Sequence, residues 1–199
     1  QEGVLLIVCG PSGVGKTSLT RKLLDEEPRL QLSISYTTRA PREGEEDGVD
    51  YHFVDDATFQ KKREAGEFAE WAEVHGNYYG TPKAAIRDAW DDDRDVIFDI
   101  DYQGARQLKD AFPGAVGVLV IPPSMSELES RLRGRETDTE AVIQRRLAAA
   151  RKELAQYELF DYIVENDDFD VAFSQLETVY EASRLAMPLQ RDQLADLLT

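Results

Sequence analysis

The chain has 199 residues, a length that fits one globular domain with small inserts, and its 42% hydrophobic and 31% charged residues argue against a disordered or fibrous protein. Its formal net charge of −16 argues against a nucleic-acid backbone as the main partner, because such proteins need a basic surface. The single cysteine, Cys9, lies in an apolar run and cannot form an intramolecular disulfide, so we expect a buried thiol and a cytoplasmic protein. The run that begins at Val4 lacks a basic leader and no stretch is long enough to span a membrane, so we expect neither a signal peptide nor a membrane partner.

Apolar runs alternate with amphipathic stretches along most of the chain. The apolar runs predict buried strands at 4–9, 30–35, 96–100, 116–121 and 162–164. Helical periodicity predicts helices at 16–26, 102–111, 126–133, 139–157 and 171–186. Strands that alternate with helices predict an α/β fold, in which helices flank a parallel sheet and ligands bind beyond the C-terminal ends of the strands.

Two segments interrupt this alternation. Residues 36–91 are polar and aromatic, and they predict an inserted subdomain with strands at 51–54 and 68–74 around a helix at 57–64. Thr81 and Pro82 predict the cap and the first residue of a helix that closes the insert.

The second segment, residues 131–150, is rich in arginine and poor in core-type residues, which predicts an exposed lid. Ser124 and Glu127 match a capping box for the helix that leads into it. The ranges 1–35, 92–130 and 151–199 then form the predicted core of a single domain.

A complete phosphate-loop pattern follows the first predicted strand and opens the first predicted helix. It consists of Gly10, Pro11, Ser12, Gly13, Val14, Gly15, Lys16 and Thr17. The glycines allow backbone N–H groups to turn toward phosphate oxygens, and the helix N-terminus adds a favourable dipole. Lys16 can neutralise charge on the transferred group and Thr17 can offer its hydroxyl to Mg²⁺. We therefore assign this loop, together with Ser18, to a nucleoside triphosphate; the alternative is a glycine-rich turn with a surface lysine.

Two acidic residues stand at the end of the predicted strand at 96–100. Alternation along the strand places Asp99 and Asp101 on the same side. One of the two can approach a hydrated Mg²⁺ through water, and the other can reach toward a bound phosphoryl acceptor; our candidate for Mg²⁺ is Asp99. The alternative is a pair of solvated carboxylates at a strand end.

Longer motifs show which acceptor is expected. The insert contains SISYTTRAPR at 33–42, DGVDYHF at 47–53 and EFAEWAEVHGNYYGT at 67–81; the rest of the chain adds DIDYQG at 99–104, RLRGR at 131–135, RRL at 145–147 and VEND at 164–167. In this order and at these spacings they closely resemble the guanylate kinase family over almost the whole chain. The resemblance implies direct in-line transfer of the γ-phosphoryl group of ATP to GMP with Mg²⁺, giving ADP and GDP.

The residue types suit that acceptor. Two forked cations, Arg39 and Arg42, with the phenols Tyr51 and Tyr79, can hold a dianionic monophosphate, and the resemblance assigns all four to the GMP phosphate. A carboxylate at Glu70 can accept hydrogen bonds from guanine N1–H and from the exocyclic amine, a pair of donors that adenine lacks.

The resemblance also implies further contacts to both substrates. Ser35 and Thr81 correspond to hydroxyl contacts with guanine, and Asp101 to a contact on its amine side. Arg135 and Arg146 of the lid would surround the transferring group together with Lys16, and Asn166 would lie near the adenine of ATP. Seen alone, the aromatic residues of the insert could equally be packing residues, and Glu70 a surface carboxylate.

Transfer to a phosphate oxygen needs positioning and charge stabilisation rather than a nucleophilic side chain. We therefore expect Lys16, Arg39, Arg42, Arg135 and Arg146 to carry catalysis, with Arg131 as a further candidate of the lid. Glu136 departs from the glycine that many family members have at this position. Two alternatives stay open: a phosphotransferase for AMP, a pyrimidine nucleotide or shikimate, and a guanylate-kinase-like interaction module without activity. Nucleotides are the expected partners, and either a monomer or a homodimer is compatible with the sequence.

Overall fold

The computed structural model describes residues 3–134, 139–190 and 197. In chain order the strands are β1 (Leu5–Cys9), β2 (Leu30–Leu32), β3 (Tyr36–Thr37), β4 (His52–Phe53), β5 (Phe68–Val74), β6 (Asn77–Pro82), β7 (Asp95–Asp99), β8 (Val116–Ile121) and β9 (Tyr162–Glu165). The helices are α1 (Lys16–Glu26), α2 (Asp56–Glu64), α3 (Lys83–Asp91), α4 (Tyr102–Ala111), α5 (Met125–Arg133), α6 (Glu140–Leu154) and α7 (Phe169–Arg184), with a 3-10 helix at Tyr157–Leu159. No helix in these described ranges combines the length and apolar character of a membrane span.

A five-stranded parallel sheet in the order β2-β7-β1-β8-β9 forms the core. Successive residues of the central strand β1 point to opposite faces, and both faces are covered. Leu6 and Val8 lie in one apolar cluster with residues of α1 and α7, while Leu5 and Ile7 lie in a second cluster with residues of α3 and α4. Burial on both faces explains the continuous apolar runs, and the predicted α/β class is confirmed.

Residues of the insert form a mixed sheet in the order β4-β3-β6-β5. Phe59 of α2 is fully buried and stacks on Phe68 and Tyr78, with ring centroids 4.7 and 5.4 Å apart. The expected strands at 51–54 and 68–74 are present as β4 and β5, and the expected helix at 57–64 as α2. The sequence analysis did not predict β3 and β6, because β3 spans two residues and β6 contains glycine and proline.

The predicted cap at Thr81 is wrong. Thr81 belongs to β6, is fully buried, and donates its hydroxyl to Glu70 at 2.6 Å. Pro82 takes the N-cap position of α3 without a side-chain bond to the helix. A nearby buried carboxylate gains more from the hydroxyl than a helix end that water can solvate.

The lid segment has a small core of its own, which differs from the expected exposed excursion. Leu128 and Leu132 of α5 pack on Ile143 and Leu147 of α6, and all four are buried. Ser124 caps α5 as predicted, since its hydroxyl accepts the N–H of Glu127 at 3.0 Å.

Candidate active site

The phosphate loop joins β1 to α1 at the C-terminal edge of the core sheet. Gly15 precedes the first residue of α1 with φ 94°, a left-handed conformation that favours glycine. A Cβ atom at this position would also collide with the side-chain amide of Asn166. The loop therefore requires glycine here for its backbone angle and for the close approach of a second element.

A cleft of about 360 Å³ opens above the loop. It is lined by Gly10, Pro11, Ser12, Gly13, Gly15, Lys16, Thr17, Ser18, Asp99, Asp101 and Glu153. Val14 of the loop is fully buried and packs in the core cluster that contains Leu6 and Val8. Lys16 extends into the cleft and pairs with Asp99, with 2.7 Å between its Nζ and the carboxylate. Burial alone would lower the pKa of Lys16, but the Asp99 carboxylate and other nearby acidic groups together outweigh this effect and raise it.

The residues assigned to Mg²⁺ offer a suitable set of donor atoms. Thr17 and Asp99 line the same cleft and provide a hydroxyl and a carboxylate. Mg²⁺ prefers oxygen ligands and usually keeps several waters beside one or two carboxylates and substrate phosphates. This pair therefore fits a hydrated ion that is shared with a bound triphosphate.

A second cleft of about 210 Å³, which we call the base cleft, lies between the insert and the core. It is lined by Lys16, Ser35, Tyr51, Glu70, Ala72, Val74, Tyr79, Asp99, Ile100 and Asp101. Lys16, Asp99 and Asp101 also line the phosphate-loop cleft, so the two clefts meet at these three residues. The structure thus brings the predicted donor and acceptor sites side by side.

Glu70 is the central polar group of this second cleft. It is 3% exposed and accepts the Thr81 hydroxyl. Burial, and then the nearby Asp101 carboxylate, raise the pKa of Glu70 to about 7, although the Thr81 bond acts in the opposite direction. Beside the carboxylate lies Gly104 in the first turn of α4, where a Cβ atom would collide with it.

Asp101 has a structural contact in addition to its place in both clefts. It is the N-cap of α4 and accepts the N–H groups of Gln103 and Gly104 at 3.1 and 3.0 Å. Asp99 and Asp101 face the same clefts, as alternation predicted. The cap fixes the Asp101 carboxylate at the edge of the base cleft.

The four residues assigned to the GMP phosphate form a cluster at the mouth of the insert. The rings of Tyr51 and Tyr79 lie 6.0 Å apart, and the Arg39 guanidinium lies 5.3 Å from the centre of the Tyr51 ring. Arg42 lines an adjoining cleft of about 300 Å³, to which Ser35 and Tyr51 also contribute. The predicted phosphate-binding groups are therefore neighbours.

A carboxylate that the sequence analysis missed, Glu45, bonds to both arginines of this cluster. Glu45 accepts two hydrogen bonds from Arg39, at 2.9 and 3.0 Å, and the backbone N–H of Arg42 at 2.7 Å. The Arg39 bonds, followed by the Arg42 bond, lower the pKa of Glu45 to about 2. Glu45 stands in a polar loop among other acidic residues, so its position in the sequence gave no signal.

The lid and the C-terminal segment approach the loop from the other side. Arg146 donates to the Ser12 hydroxyl at 3.3 Å. Asn166 is buried, and its side chain donates to the Val14 carbonyl at 2.8 Å, while its own carbonyl accepts Arg131 at 2.9 Å. Arg135, predicted to be catalytic and to bind ATP, lies outside the described residues. Asn166 contacts the loop backbone, and its assignment to adenine stays a prediction.

Glu153 is a further residue that sequence reasoning missed. It projects from α6 into the phosphate-loop cleft, and burial raises its pKa while Lys16 lowers it. The apolar spacing of α6 identifies its buried face, but it does not show that the helix lies over the loop.

Comparison with known proteins gives one consistent result. The family model described as Guanylate kinase matches residues 2–183. A guanylate kinase of Aromatoleum aromaticum is 51% identical over 97% of this chain and 95% of its own length, and one of Nitratidesulfovibrio vulgaris is 55% identical over 90% and 87%. The crystal structure of guanylate kinase from Anaplasma phagocytophilum has a TM-score of 0.76 and 33% identity, covering 92% of this chain and 87% of that one.

Proposed function

The chain belongs to the guanylate kinase family, whose activity is the transfer of the γ-phosphoryl group of ATP to GMP, and from this premise we propose which residues carry each part of that reaction. The main support for this proposal is that the phosphate-loop cleft and the base cleft meet at Lys16, Asp99 and Asp101. Two substrates bound in these clefts would present the γ-phosphoryl group and the acceptor phosphate to one another. Such proximity is the main requirement of in-line transfer.

ATP binds to residues 10–18, with its phosphates on the loop. Backbone N–H groups of the loop and the N-terminus of α1 hold the phosphates, and Lys16 exchanges part of its contact with Asp99 for the β- and γ-oxygens. Arg146, which contacts Ser12, is near enough to add positive charge at the same point. Thr17 and Asp99 would hold Mg²⁺, which supplies charge neutralisation on the triphosphate when bound.

GMP binds in the base cleft with its phosphate at the arginine and tyrosine cluster. Arg39, Arg42, Tyr51 and Tyr79 bind the phosphate, while Ser35, Thr81, Glu70 and Asp101 surround the guanine. The burial of Glu70 supports a role in selectivity, because a base without the adjacent N1–H and amine donors of guanine would leave a buried carboxylate incompletely paired. AMP, CMP and UMP are such mismatched acceptors.

We also propose that the insert, residues 36–91, and the lid, residues 131–150, close over the core when both substrates bind. Closure would exclude water, which would otherwise compete with GMP for the phosphoryl group. Distances between probes on α2 and α1 should shorten when ATP analogue and GMP are both present. An unchanged distance between these probes would contradict closure, but it would not affect the residue assignments.

The composition supports nucleotides as the ligands and a cytoplasmic setting. A net charge of −16 disfavours nucleic acid, and the arginines of the two substrate sites provide the local positive charge that nucleotides need. Cys9 is buried and donates to the Ile100 carbonyl at 3.0 Å, which suits a reduced thiol.

The test is coupled ADP release with ATP, Mg²⁺ and each of GMP, AMP, CMP and UMP. We expect turnover with GMP, loss of turnover in Lys16→Ala, and a kcat/KM for GMP that falls roughly 10³-fold in Glu70→Gln. Glu73→Gln is the matched control, because Glu73 lies on the same strand but is exposed. Equal activity with AMP, or equal effects of the two glutamine variants, would overturn the proposed base recognition.

A further inference from the structure

Strand β5 carries Glu70 at an irregular point of the insert sheet. Phe68 pairs with Pro82 and Glu70 pairs with Thr81, so Ala69 is an extra residue that forms a bulge. The bulge turns the strand and places Glu70 directly opposite Thr81, whose hydroxyl it accepts. It also interrupts the ladder bonds that would otherwise fix the backbone on the N-terminal side of Glu70.

The strand is also an edge of its sheet. β5 pairs with β6 on one side and lies at the end of the order β4-β3-β6-β5. Backbone groups of an edge strand that face away from its neighbour have no partner strand. Glu70 therefore needs another contact to be held at a fixed distance from the core.

Gln107 of α4 provides that contact. Its side-chain amide donates to the Trp71 carbonyl at 2.6 Å and accepts the Trp71 N–H at 3.2 Å. The amide thus forms both hydrogen bonds that a neighbouring strand would form with this residue. Trp71 directly follows Glu70, and the same helix carries Gly104 against the Glu70 carboxylate and begins at the Asp101 cap.

We propose that Gln107 is a positioning residue for guanine recognition: it fixes the backbone after the bulge and so aims the Glu70 carboxylate at the base. This inference rests on the proposed role of Glu70. It adds that the accuracy of base recognition depends on a bond between the insert and the core. The plain alternative is that Gln107 protects a sheet edge and contributes to stability alone.

The variant Gln107→Met removes both hydrogen bonds to Trp71, together with a longer one from the same amide to the Gln103 carbonyl at 3.3 Å, and keeps about the length and helix propensity of the side chain. We expect kcat/KM for GMP to fall about tenfold through a higher KM, because two backbone bonds are lost. The kcat and the KM for ATP should stay within about twofold. Arg106→Met is the control, because Arg106 is the exposed neighbour on α4 and bonds to Gln156 rather than to the insert.

A double-mutant cycle separates positioning from stability. In a Glu70→Gln background, Gln107→Met should cost less than about twofold in kcat/KM, since the carboxylate that it aims is gone. An unchanged kcat/KM for GMP in Gln107→Met, or the same tenfold loss in both backgrounds, would overturn the proposal. If Glu70→Gln itself had no effect, the assigned role of Glu70 would fail first, whatever Gln107 does.

Thermal unfolding of each variant checks that the folded state is being compared. If Gln107→Met does not fold, Gln107→Glu gives the same test, because it keeps an acceptor for the Trp71 N–H and loses the donor to the Trp71 carbonyl. Its GMP kcat/KM should also fall in the wild-type background and change little in the Glu70→Gln background.

Discussion

The donor and acceptor halves of the active site are built in different ways. Residues 10–18 contribute most of the phosphate-loop cleft from one continuous segment, whose backbone N–H groups are the proposed donors to the phosphates. The base cleft instead collects side chains from the segment before β3, from β5 and β6, and from the N-terminus of α4. A backbone site tolerates changes in most side chains, whereas a site of side chains depends on the packing that aims each one.

The largest expected effect comes from Lys16, the cation that lines both clefts. Lys16→Met should lower kcat by roughly 10³-fold, because the charge that stabilises the transferring group is lost. GMP affinity should change by no more than a few-fold, since Lys16 is not among the residues assigned to the GMP phosphate or to the guanine. Coupled ADP release gives kcat, and calorimetry gives GMP affinity.

Lys22→Met serves as its control. Lys22 lies on the same helix but contacts Phe173 and lines neither cleft, so its substitution should leave activity unchanged. A large loss of GMP affinity in Lys16→Met would show that Lys16 also contributes to GMP binding, so that the donor and acceptor sites are not independent.

The next effect concerns the packing of the acceptor half. Gly104→Ala should favour helix α4 by up to about 1 kcal/mol in propensity, yet its Cβ atom would displace the Glu70 carboxylate. We expect kcat/KM for GMP to fall about 100-fold with KM for ATP unchanged, as steady-state kinetics can measure. Gly114→Ala is the control, because nothing lies within 4 Å of a Cβ atom there. Equal kinetics for the two variants would mean that Glu70 does not need its place beside α4.

A pH profile tests the charge of Glu70 directly. The pKa of Glu70 is raised to about 7, so this group gains a proton as the pH falls through neutrality and can then no longer accept both guanine donors. We expect kcat/KM for GMP to fall about tenfold per unit below pH 7.

The Glu70→Gln variant provides the baseline for this profile. It should show only the titration of the GMP phosphate, a monoester whose second pKa lies near 6. Identical profiles for the two proteins would contradict the assigned titration.

The smallest expected effect lies in the phosphate cluster. Glu45→Gln would keep the shape of the side chain but lose the charge that fixes Arg39, and we expect a five- to tenfold higher KM for GMP at nearly constant kcat. Glu46→Gln, on the adjacent exposed residue, should leave the kinetics unchanged. A lower KM in Glu45→Gln would instead indicate that Glu45 competes with the substrate for Arg39.

Sequence reasoning succeeded where local chemistry decides the structure. The apolar run of β1, the glycine-rich loop and the Ser124 cap each depend on residues within a few positions of one another, and the structure contains all three. It failed at Thr81, where a helix cap was expected, because Glu70 is near Thr81 in space through the pairing of β5 with β6. A hydroxyl has several acceptors available in a folded chain, and the local pattern identifies just one of them.

The sequence by itself determined the α/β class, the phosphate loop and, through several ordered motifs, the expected family and the residues assigned to each substrate. The tertiary structure decided which of these residues meet: it joined the two clefts at Lys16, placed Glu70 between Thr81 and Gly104, and set Glu45 on Arg39 and Gln107 on Trp71. Motifs of backbone and glycine are local, because a few neighbouring dihedral angles form them. The orientation of a side chain in a binding site is not local, because it depends on contacts between segments that are far apart in the chain.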